Sequence, residues 1–225
     1  LIGGSGADTI YGHEAQDLLI GDNGQISLVT ETDETQDPIV TTLTITIQTT
    51  YPDYGGDDYL YGNIGDDILI GGTGADTGYG HEGQNILIGD NGQLTLTSLP
   101  LGTLSFLSTS AVLTIQTLNP EQGGNDTLYG DIHEDILIGG SGEDTATGEA
   151  GQDILVGDNG QLTLKRPAIL GEKLFEITSV ISIASTDPTY GANDTLYGNG
   201  GDDILIGGSG ADTIYGHEAQ DLLIG

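Results

Sequence analysis

The sequence predicts an all-β protein built as a solenoid, and three observations carry that expectation. The nine-residue unit Gly3-Gly4-Ser5-Gly6-Ala7-Asp8-Thr9-Ile10-Tyr11 is followed at once by Gly12-His13-Glu14-Ala15-Gln16-Asp17-Leu18-Leu19-Ile20, with the carboxylate and the apolar residue in the same slots. The composition suits only a thin core: the 225 residues include 39 Gly, no Trp, Met or Cys and 2 Phe. Leu and Ile packed between two small sheets are what such a chain can bury. The third observation is charge, 35 Asp and Glu against 3 Lys and Arg, a net −32. Two carboxylates ~5 Å apart repel by ~0.8 kcal/mol even in water, so a stack that aligns them in rows needs counter-charge.

Each unit divides into a turn and a strand. The first six residues carry glycines and an aspartate, which suit a tight turn with positive φ. The last three set one apolar residue between flanking side chains, as in a short half-buried strand. Such a strand is too short to stand alone, so copies must stack. Two nonapeptides, 18 residues, make one coil with a turn at each edge, which puts Asp58 over Asp76 and Asp135 over Asp153. The apolar slot (Leu19, Leu69, Leu137, Leu205) points inward, filled at Ile10 and Ile214 but reduced to Gly78 and Ala146 at equivalent positions. An unfilled void there costs roughly 2–5 kcal/mol, so a neighbouring Leu or Tyr must lean in.

The spacing Gly-Gly-x-Gly-x-Asp-x-apolar-x recurs over Gly62–Tyr79, Gly139–Val156 and Gly198–Ile224. It resembles the RTX (hemolysin-type) calcium-binding repeat family, whose nonapeptides form a parallel β-roll. The resemblance implies calcium ions between consecutive turns of one edge, held by backbone carbonyls and the sixth-position aspartates. Those are Asp8, Asp17, Asp58, Asp67, Asp76, Asp126, Asp135, Asp144, Asp153, Asp194, Asp203, Asp212 and Asp221. Calcium takes six to eight hard oxygens in a forgiving geometry, whereas magnesium resists a carbonyl-rich cage. Asn85 breaks the set; an amide keeps one oxygen and loses the charge, so the Asp67–Asn85 site is expected to be weaker. Asp22, Asp90 and Asp158 stand second in turns that lack a sixth-position aspartate. Either they supply the missing carboxylate to the ions of Asp8, Asp76 and Asp144, or Asp-Asn-Gly is there for its turn geometry.

A longer period overlies the short one. Gly3-Gly4, Gly71-Gly72, Gly139-Gly140 and Gly207-Gly208 are 68 residues apart, and each unit reads as five nonapeptides with a 23-residue insert. Gly-Asp-Asn-Gly-Gln at Gly21–Gln25, Gly89–Gln93 and Gly157–Gln161 marks each exit from the roll. The inserts, approximately 27–52, 95–120 and 163–188, open and close with alternating runs such as Leu94-Thr95-Leu96 and Leu113-Thr114-Ile115, which predict β-hairpins. Their tips vary: Thr103–Ser110 is neutral, while Lys165, Arg166 and Lys173 all fall in the third insert. Five nonapeptides are two and a half coils. A hairpin strand that crosses the roll restores the parity, so Asp58, Asp126 and Asp194 should share one edge and all hairpins one side. Residues 1–21 and 205–225 are identical, so the chain reads as one continuous solenoid cut from a longer array.

These features exclude more than they admit. The charge rules against nucleic acid, and no apolar run is long enough to span a bilayer. The His-Glu pairs at His13, His81, His133 and His217 have no second His at ligand spacing and no Cys, and read as turn filler rather than a zinc site. Carboxylate pairs such as Asp57-Asp58 lie in rows rather than across a cleft, and no Gly-x-Ser-x-Gly elbow occurs. The expected protein is therefore not an enzyme. It is a calcium-dependent structural segment of a large secreted or cell-surface protein, an adhesin shaft, stalk or filament that folds on calcium outside the cell, with further copies of the repeat end to end. The alternative is the calcium-binding secretion and folding module of an exported toxin or enzyme. Without calcium the favoured state is an acidic disordered chain.

Overall fold

The computed structural model describes residues 1–35, 40–98, 111–166 and 180–225. The hairpin tips, with Thr103–Ser110, Pro38, Pro100, Pro167 and Lys173, lie outside them. Among the described residues there are twenty strands and no helix, hence none long and apolar enough to cross a membrane.

Two parallel seven-stranded sheets form the roll. One contains, in spatial order, β1 (Thr9–Glu14), β5 (Tyr59–Ile64), β7 (Thr77–Glu82), β11 (Thr127–Ile132), β13 (Thr145–Ala150), β17 (Thr195–Gly200) and β19 (Thr213–Glu218). The other contains β2 (Leu18–Ile20), β6 (Ile68–Ile70), β8 (Ile86–Ile88), β12 (Ile136–Gly140), β14 (Ile154–Asp158), β18 (Ile204–Ile206) and β20 (Leu222–Ile224). Between them lies the expected thin core, including Leu60, Leu69, Leu87, Leu128, Leu137 and Leu205. The gap beside Gly78 is too small to hold a water: a Cβ there would meet Leu87 Cδ2 at 3.2 Å and Leu128 Cδ2 at 3.4 Å, so two leucines close on the missing side chain.

The sheets differ in their outer faces. Strands of the first sheet, reading Tyr-Leu-Tyr, Thr-Leu-Tyr, Thr-Ile-Tyr or Thr-Gly-Tyr, turn only the central residue inward. Their tyrosines stack outside, Tyr11 on Tyr61 at 4.9 Å, Tyr61 on Tyr79 at 5.1 Å and Tyr79 on Tyr129 at 5.0 Å, until Thr147 interrupts the row. Strands reading Ile-Leu-Ile are apolar on both faces and must be covered on both. A third, antiparallel sheet does so, in the order β3 (Gly24–Asp33), β4 (Val40–Thr49), β9 (Gly92–Ser98), β10 (Ala111–Thr117), β15 (Gly160–Arg166) and β16 (Val180–Ser185). Leu94, Ile115, Leu162 and Leu164 pack on Ile70, Ile88, Ile138 and Val156 in a second core. A glutamine ladder ties the hairpins: Gln93 Nε2 donates to Gln48 at 2.7 Å, Gln116 to Gln93 at 2.9 Å and Gln161 to Gln116 at 2.9 Å.

The three hairpins lie side by side over one face, and Asp58, Asp126 and Asp194 share one edge, but not because a strand crosses the roll. Gly4 N–H donates to Gly21 O and Asp22 N–H to Gly71 O, so Gly21-Asp22 lie between Gly3-Gly4 and Gly71-Gly72. After the hairpin, Asp58 lies between Asp8 and Asp76. Gly21-Asp22 and Gly56–Asp58 are thus two halves of one turn. The excursion between them is closed at its root by Thr50 N–H on Asn23 O at 2.7 Å, with the same bond at Leu118–Asn91 and Thr186–Asn159. The reading of five nonapeptides and a 23-residue insert is corrected: a 68-residue unit holds four nonapeptides, 36 residues, and an excursion of the remaining 32. Four nonapeptides make two whole coils, which returns every hairpin to the same edge.

Candidate metal centres

Each edge of the roll carries a ladder of sixth-position residues. On the edge with split turns, backbone N–H groups donate to the next Oδ1 from Asp8 to Asp58 at 2.7 Å, Asp58 to Asp76 at 2.7 Å and Asp76 to Asp126 at 2.7 Å. The ladder continues from Asp126 to Asp144 at 2.8 Å, Asp144 to Asp194 at 2.8 Å and Asp194 to Asp212 at 3.0 Å. On the edge with continuous turns the order is Asp17, Asp67, Asn85, Asp135, Asp153, Asp203 and Asp221, at 2.7 to 3.1 Å. All thirteen aspartates singled out by register therefore stand in two rows, at the separations of 18 or 50 residues that the coils impose.

The second carboxylate oxygen sets the chemistry. Oδ2 of Asp58, Asp67, Asp76, Asp126, Asp135, Asp144, Asp153, Asp194 and Asp203 is buried and has no hydrogen-bond partner. Unpaired buried acceptors are rare and costly, and here a backbone carbonyl, a second acceptor, comes close to the same glycine. A Cβ built on Gly62 would collide with Asp67 Oδ2 and lie 2.8 Å from Gly80 O. The first glycine of the nonapeptide is thus required by close approach, because a carboxylate oxygen and a carbonyl of the next coil converge on its Cα. Burial, reinforced by neighbouring carboxylates, drives these acids towards the neutral form. It raises Asp58 and Asp67 to about 6, Asp194 to about 7, Asp76 and Asp153 to about 8 and Asp135 to about 9. Asp126 and Asp144 lie well above the usual carboxylate range for the same reason, with Asp90 contributing most among the like charges. A cation would reverse this balance. Among the described residues no three His, Asp or Glu side chains converge as a metal cluster. An ion here would meet single carboxylates and backbone carbonyls, a donor set of hard oxygens that fits calcium and not zinc.

A family model, the RTX calcium-binding nonapeptide repeat (4 copies), matches residues 1–25, 54–78, 122–146, 130–161 and 189–223. The chain belongs to the RTX calcium-binding repeat family. Its parallel roll is the family's fold, a structural element that binds several calcium ions. The matches reach only the first two residues of the hairpin strands β3 and β15, and 54–78 begins where the first excursion rejoins the roll. No curated protein matches the chain.

Asp22, Asp90 and Asp158 stand outside the ladders, and one premise of their assignment is corrected. Their turns do not lack a sixth-position aspartate; Asp58, Asp126 and Asp194 supply it after each hairpin. Asp90 accepts from Gly124 N–H at 2.9 Å on the returning limb and from Ser141 N–H on the next coil. Asp158 does the same with Ala192, at 3.1 Å, and Ser209. Asp22 accepts from Thr73 N–H at 2.5 Å, and Gly56 on the returning limb faces it more loosely, beyond the geometry of a full hydrogen bond to Oδ1.

The asparagine that follows escaped the sequence reading. Asn91 Nδ2 donates to Thr73 Oγ1 at 2.9 Å and to Gln122 O at 3.2 Å, while Thr73 Oγ1 donates to Pro52 O at 2.8 Å. Asn23 and Asn159 bond the hydroxyls of Ser5 and Ser141 in the same way. The threefold recurrence of Gly-Asp-Asn-Gly-Gln was the signal: the motif latches both ends of an interrupted turn. The expectation of histidines as turn filler is corrected at His81 and His217, which lie within β7 and β19, at φ 69 and 75°, with their rings stacked on Tyr79 and Tyr215. His133 follows β11 at φ 96°, and His81 Nδ1 lies 3.4 Å from Asp131 Oδ2.

Proposed function

We propose that the thirteen sixth-position aspartates are the charged calcium ligands, each ion lying between successive turns of one edge, and that Asp22, Asp90 and Asp158 serve mainly to close the split turns. The observation that carries this is the set of nine buried Oδ2 atoms without a partner. When bound, calcium supplies the positive charge that lets those oxygens remain ionised. The protein's own part is to hold them in register through Oδ1 and to bring carbonyls beside them. Binding energy is then folding energy. The chain serves as a calcium-dependent shaft or stalk of a secreted or cell-surface protein, with further copies of the repeat continuing the roll. Three hairpins merged into one sheet along the whole roll support a stiff shaft over a secretion module. Circular dichroism tests the metal dependence: chelator should abolish the sheet signal at pH 8 and added calcium should restore it. A chelated protein that keeps its full sheet signal at that pH overturns the proposal.

A further inference from the structure

Asn85 holds the place of an aspartate in its ladder without leaving an orphaned atom. Its Oδ1 accepts from Asp67 N–H at 3.0 Å and its own N–H donates to Asp135 Oδ1 at 2.7 Å, so the row passes through it unbroken. The difference is at the other branch. Beside the first glycine of the turn, where Gly62 faces Asp67 Oδ2, Gly80 faces Asn85 Nδ2. That nitrogen donates to Gly83 O at 3.0 Å and reaches His81 O at 3.5 Å. The opposite amide orientation would set oxygen against those carbonyls and an N–H against the Asp67 N–H, so the hydrogen bonds fix the assignment. In the aspartate turns an oxygen stands where this donor stands, and nine such oxygens lack any partner.

We infer that the Asn85 amide replaces a calcium ion: the turn Gly80–Asn85 takes no ion at this position, because its NH2 group already binds the carbonyls that a cation would face. The sequence suggested a weakened site; the geometry points to a site exchanged for hydrogen bonds. It follows that one rung of this edge closes without metal and separates the calcium row above it, through Asp17 and Asp67, from the row below, through Asp135 to Asp221. The inference rests on the aspartate Oδ2 atoms being calcium ligands, and its test separates the two.

Native mass spectrometry of the calcium-loaded full chain counts the ions bound by the wild type, Asn85→Asp and Asp135→Asn. The inference expects one more ion in Asn85→Asp and a calcium midpoint for folding higher than that of the wild type, since another carboxylate must be neutralised. It expects one ion fewer in Asp135→Asn, whose amide meets the equivalent carbonyls. Unchanged counts in folded variants overturn it. Should Asn85→Asp fail to fold, the count in Asp135→Asn decides alone, one fewer supporting the exchange and no change refuting it. A wild type that binds no calcium refutes the ligand proposal itself, and this inference with it.

Discussion

Along one edge of the roll every second turn is interrupted by a hairpin; along the other all seven turns are continuous. The interrupted edge holds its seven ladder aspartates and adds Asp22, Asp90 and Asp158, while the continuous edge has six aspartates and Asn85. The difference shows how insertion and charge are linked. Opening a turn to release a hairpin leaves backbone N–H groups on the returning limb and on the next coil to be satisfied, and a carboxylate can accept from both at once. The latch places more negative charge in a row already crowded with it. The continuous edge needs no latch and dispenses with one charge. Dependence on counter-charge should therefore be greater on the interrupted edge.

Removing the counter-charge and then the charge itself is the strongest way to break that comparison. In chelator, folding requires the ladder acids to stay protonated. Their ordinary value is 3.8, raised by burial to about 8 for Asp76 and Asp153 and about 9 for Asp135. The folded chain binds more protons than the unfolded one between those limits, so metal-free stability is greatest at or below about pH 4 and declines as pH rises towards 8 or 9. Chelated protein should gain sheet signal on acidification from pH 8 to 4; equal disorder at both would show that the ionisation of these buried carboxylates is not what calcium offsets.

Single substitutions sharpen the comparison. Asp126→Ala, beside Asp90 on the interrupted edge, should raise the calcium needed for folding more than Asp135→Ala on the continuous one. Each loses a charge-assisted hydrogen bond worth about 1.5–3 kcal/mol besides the ligand, a loss spread over the several ions whose binding is linked to folding. His133→Ala, in the turn of Asp135, should stay within about 0.5 kcal/mol. Calcium titrations that rank Asp126 at or below Asp135 would remove the asymmetry. The smallest effect belongs to the latch: Asp90→Asn keeps one acceptor and should cost about 1 kcal/mol. Hydrogen exchange should quicken at Gly124 and Ser141 while the continuous edge is unchanged; uniform quickening would mean that the latch is not local.

The roll was legible because carboxylate and apolar residue recur at a fixed nine, and nothing but stacking satisfies both. The hairpins were legible from runs such as Leu113-Thr114-Ile115. The split turn was not, because Gly21-Asp22 and Gly55–Asp58 each resemble part of a separate nonapeptide, and only bonds between residues 31 to 34 apart reunite them. The second core was written in the isoleucines of Ile68-Leu69-Ile70. Reading only the central leucine hid that both faces of those strands are apolar. Asn85 was recognisable as a departure, but the job of its amide depends on two carbonyls that no side-chain pattern encodes.

One hairpin accompanies every two coils, so each 68-residue unit adds two strands to each of the three sheets. Strands lie about 4.8 Å apart whether parallel or antiparallel, and each unit lengthens all three layers by about 9.6 Å. The covering sheet is thus a vernier on the roll. Gain or loss of a single 18-residue coil between two hairpins would put the scales out of step by one strand. Duplication and deletion can act on such a chain only in whole 68-residue blocks, which makes the long period a mechanical quantum of its growth.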